Sequence, residues 1–236
     1  MADSALLDVC PAWRTACRGA SVGILALRGV TNPPDDPAVA AAADALERDL
    51  RERWTDRDAL RAAPPFPAYA AWYKRFGQRY HVMLQRESVA LKGKPLPRVA
   101  GLVEAMFLAE LRTGILLAGH DLDRVSLPLA LAVGTGDEVY RTPRGEETAV
   151  KPGDMFVRDG EGVLSAVITG PADWARIGPE TTAALFVAYA PTGVPAGDVE
   201  SCLAEIERTV RAFSPDAVRE ALAVVEADPA AKHARD

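Results

Sequence analysis

The residues best suited to chemistry lie in two short stretches. The first is Ala118 to Asp123, reading AGHDLD, in which His120 has Asp121 and Asp123 beside it. A neighbouring carboxylate raises and orients an imidazole, so the trio is a candidate for general acid or base work or for hydrogen-bonded recognition. The same letters fit an aspartate capping a turn next to a structural histidine, and the residues alone favour that plainer reading. The second stretch is Lys74 to Arg98. It holds Lys74, Arg75, Arg79, Arg86, Lys92, Lys94 and Arg98 against the single anion Glu87, a local +6 in a chain of net charge −6, so the remainder carries −12. An acidic protein with one cationic segment steers a polyanion to that segment and repels it elsewhere. Tyr80 and His81 in the same stretch are candidates to stack on an exposed base or on a terminal ribose and adenine, the alternative being a solvated basic face.

Other chemistry is not written in the chain. It contains no G-x-S-x-G elbow, no phosphate loop, no H-E-x-x-H and no G-x-G-x-x-G, and the pair in Gly134-Thr135-Gly136 fits a hairpin turn better than a phosphate cradle. Cys10, Cys17 and Cys202 lack metal-ligand spacing, and His81, His120 and His233 are too few for a multi-histidine centre, so neither a disulfide framework nor a zinc or multi-histidine site is expected, while a carboxylate-held Mg²⁺ stays open. Charges interrupt Met1 to Arg18, and no window approaches the roughly 18 apolar residues of a membrane span. A cytoplasmic protein without membrane partners is expected.

The elements that must position these residues are of both kinds. With 49% apolar and 25% charged residues, the 236-residue chain has the composition of a folded domain. Ser21 to Val30 reads as a buried strand. Leu46, Leu50 and Trp54 mark a helix from near Pro37 to Arg61, followed by a proline-rich connector to Pro67. A second helix carries Tyr69, Trp72, Tyr73 and Phe76 and stops at Gly77; a third runs from about Arg98 to Thr113. From Leu127 the texture becomes strand and turn, with strands at 155–158, 163–169 and 183–190. Helix returns after Pro195, a further short helix is expected around Val218, Leu222 and Val225, and a polar tail follows. Helices and strands are partly segregated, which predicts an α+β domain with a mixed or antiparallel sheet flanked by helices.

Five ordered blocks carry a resemblance. Tyr80 to Pro97 (YHVMLQRESVALKGKPLP), Leu102 to Leu111, AGHDLD, Lys151 to Asp159 (KPGDMFVRD) and Gly162 to Thr181 together resemble the B3/B4 domain of the bacterial phenylalanyl-tRNA synthetase β subunit, and more closely its free-standing relatives. The resemblance covers roughly residues 20–212, which implies a lead at 1–20, a B3/B4-like domain at 21–212 with its core at 68–192, and a C-terminal helix and tail at 213–236. In the synthetase such a domain holds the 3′ end of a mischarged tRNA and hydrolyses the ester, a second sieve needed because an apolar pocket rejects one extra hydroxyl weakly. No cofactor is implied, because an activated ester needs only a placed water and a stabilised oxyanion.

The resemblance carries over residue by residue, and it breaks at the reactive positions. The synthetase's editing histidine falls on Ala118, and His120 falls two places later, on the same face of an extended stretch. The synthetase's glutamate that reads the tyrosyl hydroxyl falls on Asp173, and Thr181 matches the threonine that closes the block. The resemblance thus assigns catalysis to His120, Asp121 and Asp123, substrate contacts to His81, Glu87, Ser88, Glu110, Asp173 and Thr181, and phosphate contacts to Arg79, Arg86, Lys92 and Lys94. It implies a stand-alone protein that binds the tRNA acceptor end and hydrolyses a wrong aminoacyl ester in trans. A non-catalytic RNA-binding module and an enzyme for a free amino acid or small metabolite are the alternatives.

Overall fold

The computed structural model of the chain describes residues 6–227. In chain order the elements are β1 (Leu7–Val9), α1 (Pro11–Ala16), β2 (Ser21–Arg28), α2 (Pro37–Arg53), α3 (Arg57–Ala62), α4 (Phe66–Lys74), α5 (His81–Lys92), α6 (Gly101–Thr113) and β3 (Leu116–Asp121). There follow β4 (Leu129–Val133), β5 (Val139–Arg141), β6 (Glu147–Ala149), β7 (Met155–Arg158), β8 (Val163–Ala166), β9 (Gly170–Pro171), β10 (Ala183–Ala190), α7 (Ala196–Phe213) and β11 (Val218–Glu226). The architecture is α+β.

Two sheets form the frame. One is antiparallel, in the order β11-β2-β10-β3; the other runs β1-β4-β7-β8-β9 and is mixed, because β1 joins β4 in parallel. In the first sheet β10 is buried along its whole length and β2 nearly so, as their unbroken apolar sequences require of strands covered on both faces. Helix α7 lies on that sheet so closely that a Cβ on Gly23 would come within 2.7 Å of Val199 Cγ1 and 2.8 Å of Leu203 Cδ1, which is why β2 carries a glycine at its centre. Strands β5 and β6 form a separate hairpin, tied down where the Tyr140 hydroxyl donates to Gly170 O at 2.7 Å.

Several elements differ from the expectation. The long helix ending near Arg61 is two, α2 and α3, because Asp56 leaves the helix and caps the next one by accepting from Ala59 N. Helix α5 has no counterpart among the predicted elements. The Gly134 turn does not close a hairpin: β4 pairs with β7, and the turn leads out into the β5–β6 hairpin. The helix expected around Leu222 is the strand β11, since pairing along β2 satisfies backbone groups that would otherwise line an open sheet edge. The stretch expected as a lead supplies β1 and α1, and its Trp13 is fully buried. The tail beyond Ala227, with His233, lies outside the described residues.

Candidate functional site

Helix α5 organises the open face of the molecule. Its first residue, His81, is exposed and meets Tyr80 and Tyr73 edge-on, at centroid distances of 5.7 and 6.2 Å. Those tyrosines are anchors. Tyr80 is fully buried, stacks on Tyr69 at 4.1 Å and donates to Gly114 O; Tyr73 donates to Val167 O across to the second sheet. Tyr80, expected to stack on a base, is therefore spent in the core, and His81 alone faces out. Although the side chain reaches the surface, partial desolvation lowers the His81 pKa below its ordinary value, which favours the neutral ring.

Two cavities meet at His81. One, of about 520 Å³, has a floor of Leu116, Leu117, Ala118 and Tyr189 and a rim carrying Gln78, Thr142, Arg144 and Glu146. The rim residues 142–146 sit at the turn of the β5–β6 hairpin, which brings Arg144 and Glu146 to the cleft lining. Ala118, the position of the synthetase's editing histidine, thus lies on the cleft floor. The other cavity, of about 330 Å³, runs between α5, α6 and the Lys94–Pro97 loop and is mainly apolar, with Ser88 and Lys94 among its lining. Of the expected site residues, the structure brings together His81, Ser88 and Lys94.

The cations sort by packing. Arg86 is not a phosphate contact in this structure: it is buried with its guanidinium over the Phe66 ring at 4.6 Å, and desolvation pushes its pKa down to about 10. Arg98 pairs with Asp44 at 2.6 Å, and Arg75 lies over Trp72. Lys74, Arg79, Lys92 and Lys94, with Arg144 from the hairpin, are exposed and form no ion pair with any described residue. Glu87 is buried and pairs with Arg61 and with Arg57, the latter at 3.6 Å, so it ties α5 to α3 and cannot line a cleft.

The AGHDLD segment is sealed. His120 lies on β3 with 0% of its surface exposed. Ala118 and His120 do share a face of the strand, but residues 170–177 cross the strand edge beyond Ala118: Asp121 N donates to Ala175 O, and His120 bridges to Arg176. The imidazole Nε2 meets Ser165 Oγ at 3.0 Å, and Ser165 Oγ meets the Tyr189 hydroxyl at 2.8 Å. The Tyr189 hydroxyl donates to Ser165 O, so Ser165 donates to Tyr189, and His120 Nε2 must carry the proton given to Ser165. That leaves Nδ1 a buried acceptor with no partner among the described residues. Burial drives the His120 pKa down to about 4, against the pull of Asp159. A neutral ring in the core, bonded to the Ser165 hydroxyl and through it linked to Tyr189, is a structural group.

Its neighbours hold the chain rather than a substrate. Asp121 caps the short 3-10 turn at Leu122–Arg124 by accepting from Asp123 N, and it also accepts, at 2.8 Å, from the hydroxyl of buried Thr181. Asp123 is exposed, 2.7 Å from Arg28, and these partners lower its pKa. Glu110 is buried on α6, accepts from Leu117 N at 2.8 Å, and is pushed up to about 8 by desolvation. Asp173 is half-buried beside Arg176 at 3.4 Å and is not among the cleft residues. His120, Asp173 and Lys92 therefore do not converge. Gln78, Thr142, Arg144 and Glu146 are cleft residues that the sequence reading passed over; only the Pro143-Arg144-Gly145 turn signal pointed near them.

Among the described residues no group of three His, Cys, Asp or Glu side chains is placed to hold a metal, and no helix is long and apolar enough to cross a membrane. No protein-family model matches the chain, and no curated protein matches it in sequence. Among solved structures, an N-terminal fragment of the phenylalanyl-tRNA synthetase β subunit from Pyrococcus horikoshii is similar over 93% of this chain, with 11% identity and a TM-score of 0.47. This chain spans about half of that fragment, covering 50% of it. A likeness of that degree carries no argument about the site.

Proposed function

We propose that the chain binds the acceptor end of an aminoacyl-tRNA on the His81–Lys94 face, as its resemblance to free-standing B3/B4 proteins implies, and that His120 takes no part in chemistry. The observation that carries this reading is the pair of cavities meeting at His81, one lined by Ala118 and Arg144 and the other by Lys94, with Arg79 and Lys92 exposed near the two ends of α5 and none of these cations paired with an anion among the described residues. Cations of that kind supply phosphate contacts, and an exposed imidazole supplies a face for a base or a hydrogen bond for a ribose. The Lys92→Glu/Lys94→Glu double variant changes only exposed side chains. A fluorescence-anisotropy titration with labelled aminoacyl-tRNA is expected to show binding by the natural protein that weakens at least tenfold in this variant. No binding by the natural protein at low salt overturns the proposal.

Hydrolysis in trans is the second reading, and the neutral ring of His81 favours it, because a neutral imidazole beside the cleft is able to take a proton from water. It predicts turnover of a mischarged tRNA that His81→Ala abolishes and His120→Gln preserves. Absence of turnover across a panel of mischarged tRNAs leaves the binding function and removes this one.

A further inference from the structure

The cavity of about 330 Å³ beneath the Lys94–Pro97 loop shares His81 and Lys94 with the proposed RNA face, but that reading gives no role to its apolar interior. Its walls are Leu84 and Val89 from α5, Phe107 and Leu111 from α6, and Leu96 and Pro97 from the loop. That volume lies at the lower end of the roughly 300–1,000 Å³ of small-molecule pockets.

The walls are fixed from outside. Gly93 closes α5 in the left-handed region at φ 64°, where a side chain would be strained, and Lys94 N then donates to Ser88 O at 3.0 Å. Leu96 N donates to Glu47 Oε1 at 2.7 Å, and Glu47 is itself held by Arg51 at 2.8 Å. Pro95 and Pro97 stiffen the two flanks of Leu96.

One full charge stands among the lining residues: Lys94, exposed and without an anionic partner among the described residues. The other polar groups are neutral: Gln85, Ser88 with its hydroxyl already given to Leu84 O, and the His81 ring. A ligand matched to this lining has an apolar body of one to about two aromatic rings, since roughly 150 Å³ holds one, a single anionic head and no cation.

We propose that this cavity is a binding site for a small organic anion, with the apolar body between α5, α6 and the Pro95–Pro97 wall and the anionic head at Lys94. A carboxylate and a phosphate monoester share that chemistry. The site shares Lys94 with the RNA reading but does not rest on it: a free small molecule fills it with no nucleic acid present.

The test uses the full chain and defined probes. Sodium phenylacetate and phenyl phosphate are titrated into 15N-labelled protein, with benzylamine as the charge-reversed control and acetate as the control lacking an apolar body. Saturable shifts of the Ser88, Lys94 and Leu111 amides are expected with phenylacetate, phenyl phosphate or both, and their relative affinities assign the head group. Benzylamine and acetate are expected to bind at least tenfold more weakly, and Lys94→Glu to weaken both anions at least tenfold while the spectrum elsewhere stays unchanged. Absence of saturable shifts with both anions, equal affinity for benzylamine, or indifference to Lys94→Glu overturns the proposal. Each of these results is read without tRNA, so failure here leaves the tRNA measurement standing, and failure there leaves this one.

Discussion

Two regions rich in polar residues have opposite fates in this fold. The segment from His120 to Asp123 has the letters of a catalytic centre, yet it is spent on holding strands and a turn together, with His120 at 0% exposure. The segment from Gln78 to Lys94 reads as a basic run, yet it presents the His81 imidazole to two open cavities and the Ser88 hydroxyl and the Lys94 ammonium to one of them. The difference lies in what crosses each element. Residues 170–177 lie over the end of β3, whereas tyrosines beneath the start of α5 support it from below and leave His81 free. Residue type decides what a site is able to do, and packing decides whether there is a site.

The largest expected effect breaks the comparison on its buried side. Replacing His120 with alanine opens a cavity and leaves Ser165 short of a partner, which should destabilise the protein by about 2–4 kcal/mol in urea denaturation. Tight RNA binding lost by His120→Gln, which keeps a donor to Ser165 and the fold, would place that residue on the wrong side of the division.

The pH dependence comes next. His120 is held near 4 in the fold against an ordinary 6.5, so it favours the folded state fully above pH 6.5 and that contribution is lost as pH falls towards 4, an effect of about 3 kcal/mol. Glu110 works the other way: held up to about 8 against 4.5, it favours the folded state fully below pH 4.5 and loses that contribution as pH rises to 8. The His120→Gln variant should flatten the acid limb of the stability profile, and Glu110→Gln the limb above pH 4.5. A profile unchanged by His120→Gln would mean that the imidazole is not sealed from water.

A smaller effect sharpens the open side. If about four cations contact phosphates, the slope of log K against log salt should be roughly −3, becoming shallower by about 1.4 in the Lys92→Glu/Lys94→Glu variant. The smallest effect belongs to Asp123, whose exposed pair with Arg28 should be worth at most about 0.5 kcal/mol, measured by thermal denaturation of Asp123→Ala.

Much of the frame is legible in the sequence. Unbroken aliphatic runs at Ser21–Arg28 and Ala183–Ala190 mark strands covered on both faces, and the stripe of Val199, Leu203 and Ile206 marks a helix lying on them. Helix α5 is harder to read because its buried face mixes Val82, Met83 and Val89 with Arg86 and Glu87, whose partners, Phe66 for the first and Arg57 and Arg61 for the second, come from other helices. Strand β11 carries a helical spacing that loses to the free edge of β2. The candidate site is the least legible part. Neither the β5–β6 hairpin over the cleft nor residues 170–177 over His120 leave a local signal, since both are contacts between segments far apart in sequence.

The most direct test is a side-by-side titration of aminoacyl-tRNA with the natural protein, His120→Gln and the Lys92→Glu/Lys94→Glu variant at one low salt concentration. The account predicts affinity within about twofold of the natural protein for His120→Gln and at least tenfold weaker for the charge-reversed variant, where 1.4 kcal/mol corresponds to tenfold. Loss of binding in folded His120→Gln with retention in the charge-reversed variant would contradict it.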